Sequence, residues 1–458
     1  MAEYCVVDRS QLEADLTAVA EAIRSKAGTG KLLDFPKDYV ETVSRIESGT
    51  KILLPRDVNF YDCDGTLLYA YTTEELQELA QLPPGPQPSK DFLRFDCWNW
   101  TLEQLKENPG PRDVGAIYRT SDGDTYAEIS VAEMARATVT LYIGVTNYDA
   151  DLSQPLFVID WGDGTVEEKY VDSTGGYDLA VPHTYQSTGA YTLRIHGAGS
   201  LYLGHNGSPG FMSGTDYDVC LQALYMGGNA KLNGHSMKNH LNMHTLTLTK
   251  NVTAIPYSAL KCSLHLRAVI LPPDVTTVQA NAFEENTNVT VFSMPCGLTS
   301  FGYYGLTRSQ VRRLVYGPKL LTVEGGYNNA LKEAIIPEGV TGIGTEVFCY
   351  GYALTELQLP KTLQTIADAA FRYCYGLTKL EIPENVRSIA PQAFMNVNRL
   401  RRMTFRPTTP PTVANANAFS GFPASCVIEV PAGTLEAYQS AANYAAVAAQ
   451  MVEVDDDR

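Results

Sequence analysis

No two of the nine cysteines form a C-x-x-C pair, which excludes the usual zinc and thiol-redox frameworks. Their scatter and odd number suit free thiols, and folding in a reducing cytosol, better than a disulfide scaffold. No run approaches 18 apolar residues, so no helical membrane span is expected. The N-terminus, MAEYCVVDRSQLEADL, lacks the charged-then-apolar pattern of a secretory signal. Positive charge is scarce: 35 Lys and Arg against 51 Asp and Glu leave a net charge of −16. That balance argues against a nucleic-acid or anionic-membrane partner. Nucleophile elbows, triad signatures and paired catalytic carboxylates are also missing, which disfavours an enzyme and leaves no cofactor to place. The chain is nonetheless globular in composition, 45% apolar and 19% charged. Tyrosine is plentiful, 27 against 15 Phe, and suits half-exposed β surfaces and carbohydrate or protein contacts.

What is present is a 23-residue beat in the second half. ALKEAIIPEGVTGIGTEVFCY, ALTELQLPKTLQTIADAAFRYC and GLTKLEIPENVRSIAPQAFMNV share one form, L-x-x-h-x-h-P-x-x-h-x-x-h-x-x-x-A/V-F, where h is apolar. Leu331, Leu354, Leu377 and Leu400 lead the units, and Phe348, Phe371 and Phe394 close them. Cys349 and Cys374 follow the closing Phe, as small buried apolar residues would. A fixed period in this range predicts a solenoid, because one unit cannot bury its apolar face without its neighbours. Fainter units fit around Leu224/Met226, Leu246/Leu248, Val269/Leu271, Phe292/Met294 and Leu314/Tyr316. Leu357, Leu359, Ile366 and Phe371, and one period on Leu380, Ile382, Ile389 and Phe394, are expected in the core.

The chain divides into five segments on this reading. Residues 1–48 hold two short amphipathic helices, an attachment segment that also offers a route to homo-oligomers. Residues 51–135 form a small α+β module with hairpins at Asp64-Gly65 and Asp122-Gly123. Its helices are capped by Thr72 or Thr73 and by Thr101. Residues 137–200 alternate as an all-β sandwich, residues 219–425 are the solenoid, and residues 426–458 close its open end with a strand, CVIEV, and a helix. The fold class is therefore multidomain and mainly β.

The repeats resemble the BspA-type leucine-rich repeat, whose units carry L-x-x-L-x-I-P…V-x-x-I…A-F-x-x-C. The resemblance implies a curved ladder with a parallel sheet, and a role in adhesion or surface recognition. Asp160-Trp161-Gly162-Asp163-Gly164-Thr165, with His183-Thr184-Tyr185 and Gly189-Ala190-Tyr191-Thr192, resembles a PKD-type Ig-like domain, which implies a spacer or binding module. LTAVAEAIRSKAGTGKLLDFPKDYVETV, VNFYDCDGTLLYAYT and WNWTLEQLK resemble structural proteins of gut phages and prophages, which implies a tail protein.

Several motifs have plainer readings. Asp62-Cys63-Asp64-Gly65-Thr66 matches the D-x-D-G-T of haloacid-dehalogenase-like phosphotransferases, yet it joins two short alternating segments where that chemistry needs a parallel α/β sheet. It reads as a hairpin turn. Asp160 and Asp163 are too few carboxylates for a defined calcium site. Gly28-Thr29-Gly30-Lys31 lacks P-loop spacing. His240, His244 and His265 fall in different repeat phases with no acidic set beside them, so no metal site is expected.

The repeat register places one row of side chains outward on each strand. In the N-terminal half that row is mild and partly apolar, as at Ala268/Ile270 and Val291/Ser293. In the C-terminal half it is charged: Arg313, Glu333, Glu356, Gln358, Lys379, Glu381 and Arg402. These seven are the candidate ligand-binding residues, with Arg313–Glu333 and Glu356–Lys379 as expected cross-strand pairs. The expected function is non-enzymatic recognition of a host cell-surface protein or glycan. It would act on a phage or prophage tail beside other tail or surface structural proteins, in a virion assembled after cytoplasmic synthesis. The alternative is a bacterial cell-surface adhesin. An accessory to a glycan-active hydrolase is a third class.

Overall fold

The computed structural model describes residues 55–133, 137–146, 155–170, 178–197, 199–204, 211–213, 219–324 and 326–454. The N-terminal helices expected over residues 1–48 lie outside them.

The first unit is a four-stranded sheet. It contains β1 (Val58–Tyr61), β2 (Leu67–Tyr71), β3 (Leu93–Trp98) and β4 (Arg112–Thr120) in the order β2-β1-β4-β3. β1 and β2 form the expected antiparallel hairpin. Its turn is closed by Asp62 N–H donating to the Thr66 carbonyl at 2.8 Å and by Gly65 at φ +89°, where a side chain would be strained. The D-x-D-G-T residues are thus turn residues, and Asp62 accepts from Cys63 N–H and the Tyr118 hydroxyl. Helix α1 (Thr73–Gln77) is capped by Thr72 and α2 (Leu102–Glu107) by Thr101. Both have reciprocal capping boxes, through Glu75 and Gln104.

The turn at Asp122-Gly123 differs from expectation. β4 and β5 (Thr125–Val131) do not pair; the turn is a corner at which the chain leaves one sheet for another. β5 instead lies between β10 (Gly189–Gly197) and β13 (Val219–Tyr225), antiparallel to both. The corner is fixed by Asp124, which accepts from Arg194 Nε at 2.7 Å and meets His196 Nδ1 at 2.6 Å. Asp-Gly supplies the same turn chemistry to a corner as to a hairpin; tertiary pairing decides between them.

Two sheets face each other next. One runs β15-β13-β5-β10-β7-β8, with β7 Phe157–Asp160, β8 Val166–Lys169 and β15 Thr245–Thr247. The other runs β12-β6-β11-β14, with β6 Thr138–Thr146, β11 Ser200–Leu203, β12 Met212–Ser213 and β14 Ala230–Leu232. β9 (Asp178–Thr184) pairs on β6. Trp161 is fully buried, stacked on His183 at 4.4 Å, and its carbonyl accepts from the Tyr185 hydroxyl at 3.0 Å. The sandwich is not a detached spacer. β13 pairs antiparallel with β5 and parallel with β15, so the sandwich sheet runs directly into the first turns of the solenoid. One apolar core extends from Ala127 to Met451.

The solenoid stacks parallel strands in two rows. One row includes Arg313–Val315, Glu333–Ile335 and Glu356–Gln358, then Lys379–Ile382 and Arg402–Phe405. The other runs from Thr322–Val323 to Thr412–Val413 as one five-stranded sheet. Of the expected core residues, all are buried except Leu357, which is partly buried against the core. The closing phenylalanines form a ladder: Phe348, Phe371, Phe394 and Phe419 stack at 5.4, 5.5 and 5.9 Å. The turns around Phe348, Phe371 and Phe394 need left-handed backbone on both sides, as at Ala369 (φ 52°) and Tyr373 (φ 58°). Stacking neighbours hold those conformations, which isolated L-residues avoid.

The far end is closed by the strand Val427–Pro431, helix α3 (Leu435–Ser440) and a further parallel strand, Met451–Val454. The helix is shorter than the alanine-rich segment suggests. The chain turns at Asn443 (φ 68°) so that Tyr438 and Tyr444 can both enter the core. Their hydroxyls donate to the Pro407 and Pro411 carbonyls.

Candidate functional site: two halves of one sheet face

The outward row of the first solenoid strands is not open to solvent. The four-stranded module lies on it. Asn99 Nδ2 donates to the Leu271 carbonyl at 3.0 Å and to Ser293 Oγ at 2.9 Å. Trp100 Nε1 donates to the Met294 carbonyl at 2.8 Å, and Ser293 Oγ donates to the Asp113 carbonyl at 2.5 Å. Gly115 faces Ile270 so closely that an added Cβ would lie 2.2 Å from it. Ala223, Tyr225 and Cys296 belong to the module's own core cluster. Ala268, Ile270 and Ser293 are accordingly buried, although the strand pattern turns them away from the solenoid interior.

Arg313 marks the edge of that cover. Its guanidinium pairs with Asp113, donates to the Asp57 carbonyl at 2.9 Å and reaches Glu333 at 3.3 Å. Burial pushes the Asp113 carboxyl up, and the Arg313 charge opposes that shift. Of the seven sequence candidates, Arg313 therefore fastens the module. The expected Arg313–Glu333 pair is present as the outer part of the same cluster.

Beyond it the face opens. Glu356, Gln358, Lys379, Glu381 and Arg402 are exposed, and Glu333 is half-buried. The expected Glu356–Lys379 ion pair does not form. The ion pairs here are Arg406–Glu381 at 3.1 Å and Arg402–Glu429 at 3.2 Å, and Glu429 also accepts from Thr404 Oγ1 at 2.7 Å. A cleft of about 460 Å³ lies among Lys379, Glu381, Arg402, Thr404, Arg406 and Glu429. It carries both signs of charge on a parallel sheet, which suits a polar partner. Among the described residues, no group of three His, Cys, Asp or Glu is placed to hold a metal. The seven described cysteines are free.

The sequence reading passed over a second surface. Tyr304, Tyr327, Tyr350 and Tyr373 recur at the repeat period and form a ladder of ring contacts, stacked at Tyr304–Tyr327 and at Tyr350–Tyr373 (5.0 Å) and tilted at Tyr327–Tyr350. Glu346 accepts from the Tyr303 and Tyr304 hydroxyls and pairs with Arg372 at 2.7 Å. The 23-residue spacing of those tyrosines was the available signal.

Comparison with known proteins agrees with the repeat register. Residues 227–325 and 326–443 match the BspA type leucine rich repeat region, in six copies. This part of the chain is a BspA-type leucine-rich repeat region. The match is to a repeat array, and no catalytic family is indicated. Among solved structures, a leucine-rich repeat protein from Bacteroides ovatus is similar at 15% identity, with a TM-score of 0.40 over 51% of this chain and 66% of that one. The pneumococcal vaccine antigen PcpA is similar at 18% identity, with a TM-score of 0.34 over 49% of this chain and 64% of that one. A leucine rich cell surface protein from Faecalibacterium prausnitzii is similar at 15% identity, with a TM-score of 0.24 over 44% of this chain and 76% of that one. The chain thus spans just under two thirds of the first two. No curated protein matches.

Proposed function

We propose that the protein is a non-enzymatic recognition or adhesion protein that contacts a cell-surface protein or glycan through the open half of its sheet face. The supporting observation is the abrupt change in that face. It is sealed by the module as far as Arg313 and Glu333, then exposed and charged from Glu356 to Arg402. Parallel strands hold those side chains at about 4.8 Å intervals, a rigid base for a polar contact. A bacterial cell-surface setting fits a BspA-type array and the surface protein among its structural likenesses. The tail-protein reading rests on the resemblance of the N-terminal third alone. Neighbouring tail genes would favour it.

The test is binding of labelled full-length protein to intact cells and to arrayed surface glycans. A variant carrying Glu356→Lys and Lys379→Glu, two residues without an ion pair among the described residues, should lose binding at nearly unchanged melting temperature. Binding of wild type and variant alike would return this face to ordinary solvated surface.

A further inference from the structure

A different edge of the solenoid carries a charge pattern opposite to that of the whole chain. Each turn has a buried leading apolar residue just before its outward strand, from Met243 through Leu331 to Leu400. The residue after it is exposed in every turn. From His244 to Arg401 that row reads His, Arg, Thr, Arg, Lys, Thr, Thr, Arg. The residue before it, from Asn242 to Arg399, reads Asn, His, Asn, Gln, Ala, Ala, Gly, Arg. These sixteen positions hold five Arg or Lys, two His and no Asp or Glu, in a chain with 51 acidic residues.

The row is rigid. Lys332 N–H donates to the Arg312 carbonyl at 2.7 Å, Thr355 N–H to the Lys332 carbonyl at 3.0 Å, and Arg401 N–H to the Thr378 carbonyl at 2.9 Å. Arg312 and Lys332 thus sit on neighbouring turns, about 4.8 Å apart at the backbone, where like charges repel. On the sheet face and beside the tyrosines some cations are matched, as in Arg372–Glu346 and Arg402–Glu429, while Lys379 is not matched among the described residues. Here the side chains of Arg267, Lys332, Arg399 and Arg401 make no ion pair or hydrogen bond with a described residue. At its N-terminal end the edge deepens into a groove of about 660 Å³, where Arg267 lies with His244, His265, Asn242, Asn288 and Thr290. Glu128, whose charge reaches His244, is itself paired with Lys90.

We propose that this edge binds an extended anionic polysaccharide running along the solenoid axis. The cations supply the charge match. The amides and hydroxyls between them suit sugar hydroxyls and ring oxygens. Nucleic acid fits less well: the rows contain no Phe, Tyr or Trp on which the bases of a single strand could stack, and five cations over eight turns are sparse against the charge of a duplex. This edge borders the open sheet face, but the variants that test the two surfaces share no residue, so either proposal can fail alone.

The experiment measures binding of full-length protein to immobilised polygalacturonate and dextran sulfate. Methyl-esterified polygalacturonate and dextran serve as neutral controls and duplex DNA as competitor, from 50 to 300 mM salt. The two anionic polymers separate carboxylate from sulfate as the preferred group. Wild type should bind at least one of them and neither neutral chain, with affinity falling as salt rises. The triple variant R267Q/R312Q/K332Q should bind at least tenfold more weakly and with a shallower salt slope. K319Q/K361Q/R387Q removes as many exposed cations elsewhere and should bind as wild type. Failure to bind either anionic polymer, equal loss in both triples, or preference for DNA would overturn the proposal.

Discussion

The two halves of the solenoid sheet share one register and one core, yet they meet different surroundings. Beneath them one apolar core continues; its closing position is Leu260, Phe283 and Leu306 in the covered turns and Phe348, Phe371 and Phe394 in the open ones. Above the N-terminal half lies a second hydrophobic unit, and both sides of its strands are buried. Above the C-terminal half lies water, and the strand from Lys379 to Ile382 alternates exposed and buried. The repeat therefore specifies the architecture, while the outward row records what each turn faces. Small and apolar residues, Ala268 and Ile270, occupy the covered turns; Glu356, Lys379 and Glu381 occupy the open ones.

The comparison can be broken most severely from the covered side. Trp100 is buried and its indole donates across the contact, so Trp100→Ala should destabilise by about 3–5 kcal/mol. Phe371→Ala, in the core beneath the open half, should cost a similar amount. Urea unfolding should show the first variant losing the module before the solenoid, and the second lowering the solenoid transition itself.

Arginine truncation separates the halves more finely. Arg313→Ala should cost about 3 kcal/mol, because it strands the buried Asp113 carboxylate. Arg402→Ala, which removes a pair to Glu429 at the open end, should cost no more than about 1 kcal/mol. Chemical denaturation of the two variants side by side measures the difference.

A pH scan adds a third contrast. Burial raises the Glu324 carboxyl from its ordinary value of 4.5 to about 7. The folded protein then holds a proton that the unfolded chain releases, so this group's contribution to stability falls as pH rises from about 4.5 through 7. Glu324→Gln should be more stable than wild type at pH 8 and indistinguishable at pH 4, read from urea midpoints. His240, in the covered half, has the opposite sign. Full burial lowers its imidazole from 6.5 to about 4, so its contribution is complete above pH 6.5 and lost on acidification toward 4.

The smallest expected effect is the charge exchange Glu356→Lys with Lys379→Glu. Neither residue is paired on the open face, so stability should change by less than about 0.5 kcal/mol by calorimetry.

The solenoid was legible because its contacts repeat at a fixed offset; each leading Leu meets the next one 23 residues on. The hairpin at Asp64-Gly65 and the caps at Thr72 and Thr101 were legible because their chemistry is local. The module's position was not. Asn99 meets Leu271 across 172 residues, and no periodic pattern links such a pair. Its trace was the mild, apolar row itself, which is what a covered surface looks like in sequence. The corner at Asp122-Gly123 was misread because the turn residues do not encode which strand β5 will join. Arg313 belonged by register to the charged row, and only Asp113, brought back by the fold, assigns it to the contact.

The central claim is that the module covers one half of the sheet and leaves the other open. Carbodiimide labelling of carboxylates with a small amine, read residue by residue by mass spectrometry, tests it directly. Asp113 should stay unlabelled in native wild type while Glu356 and Glu381 react at once, and Trp100→Ala should expose Asp113 without altering the other two. Labelling of Asp113 as fast as Glu356 in the native wild-type protein would contradict the account.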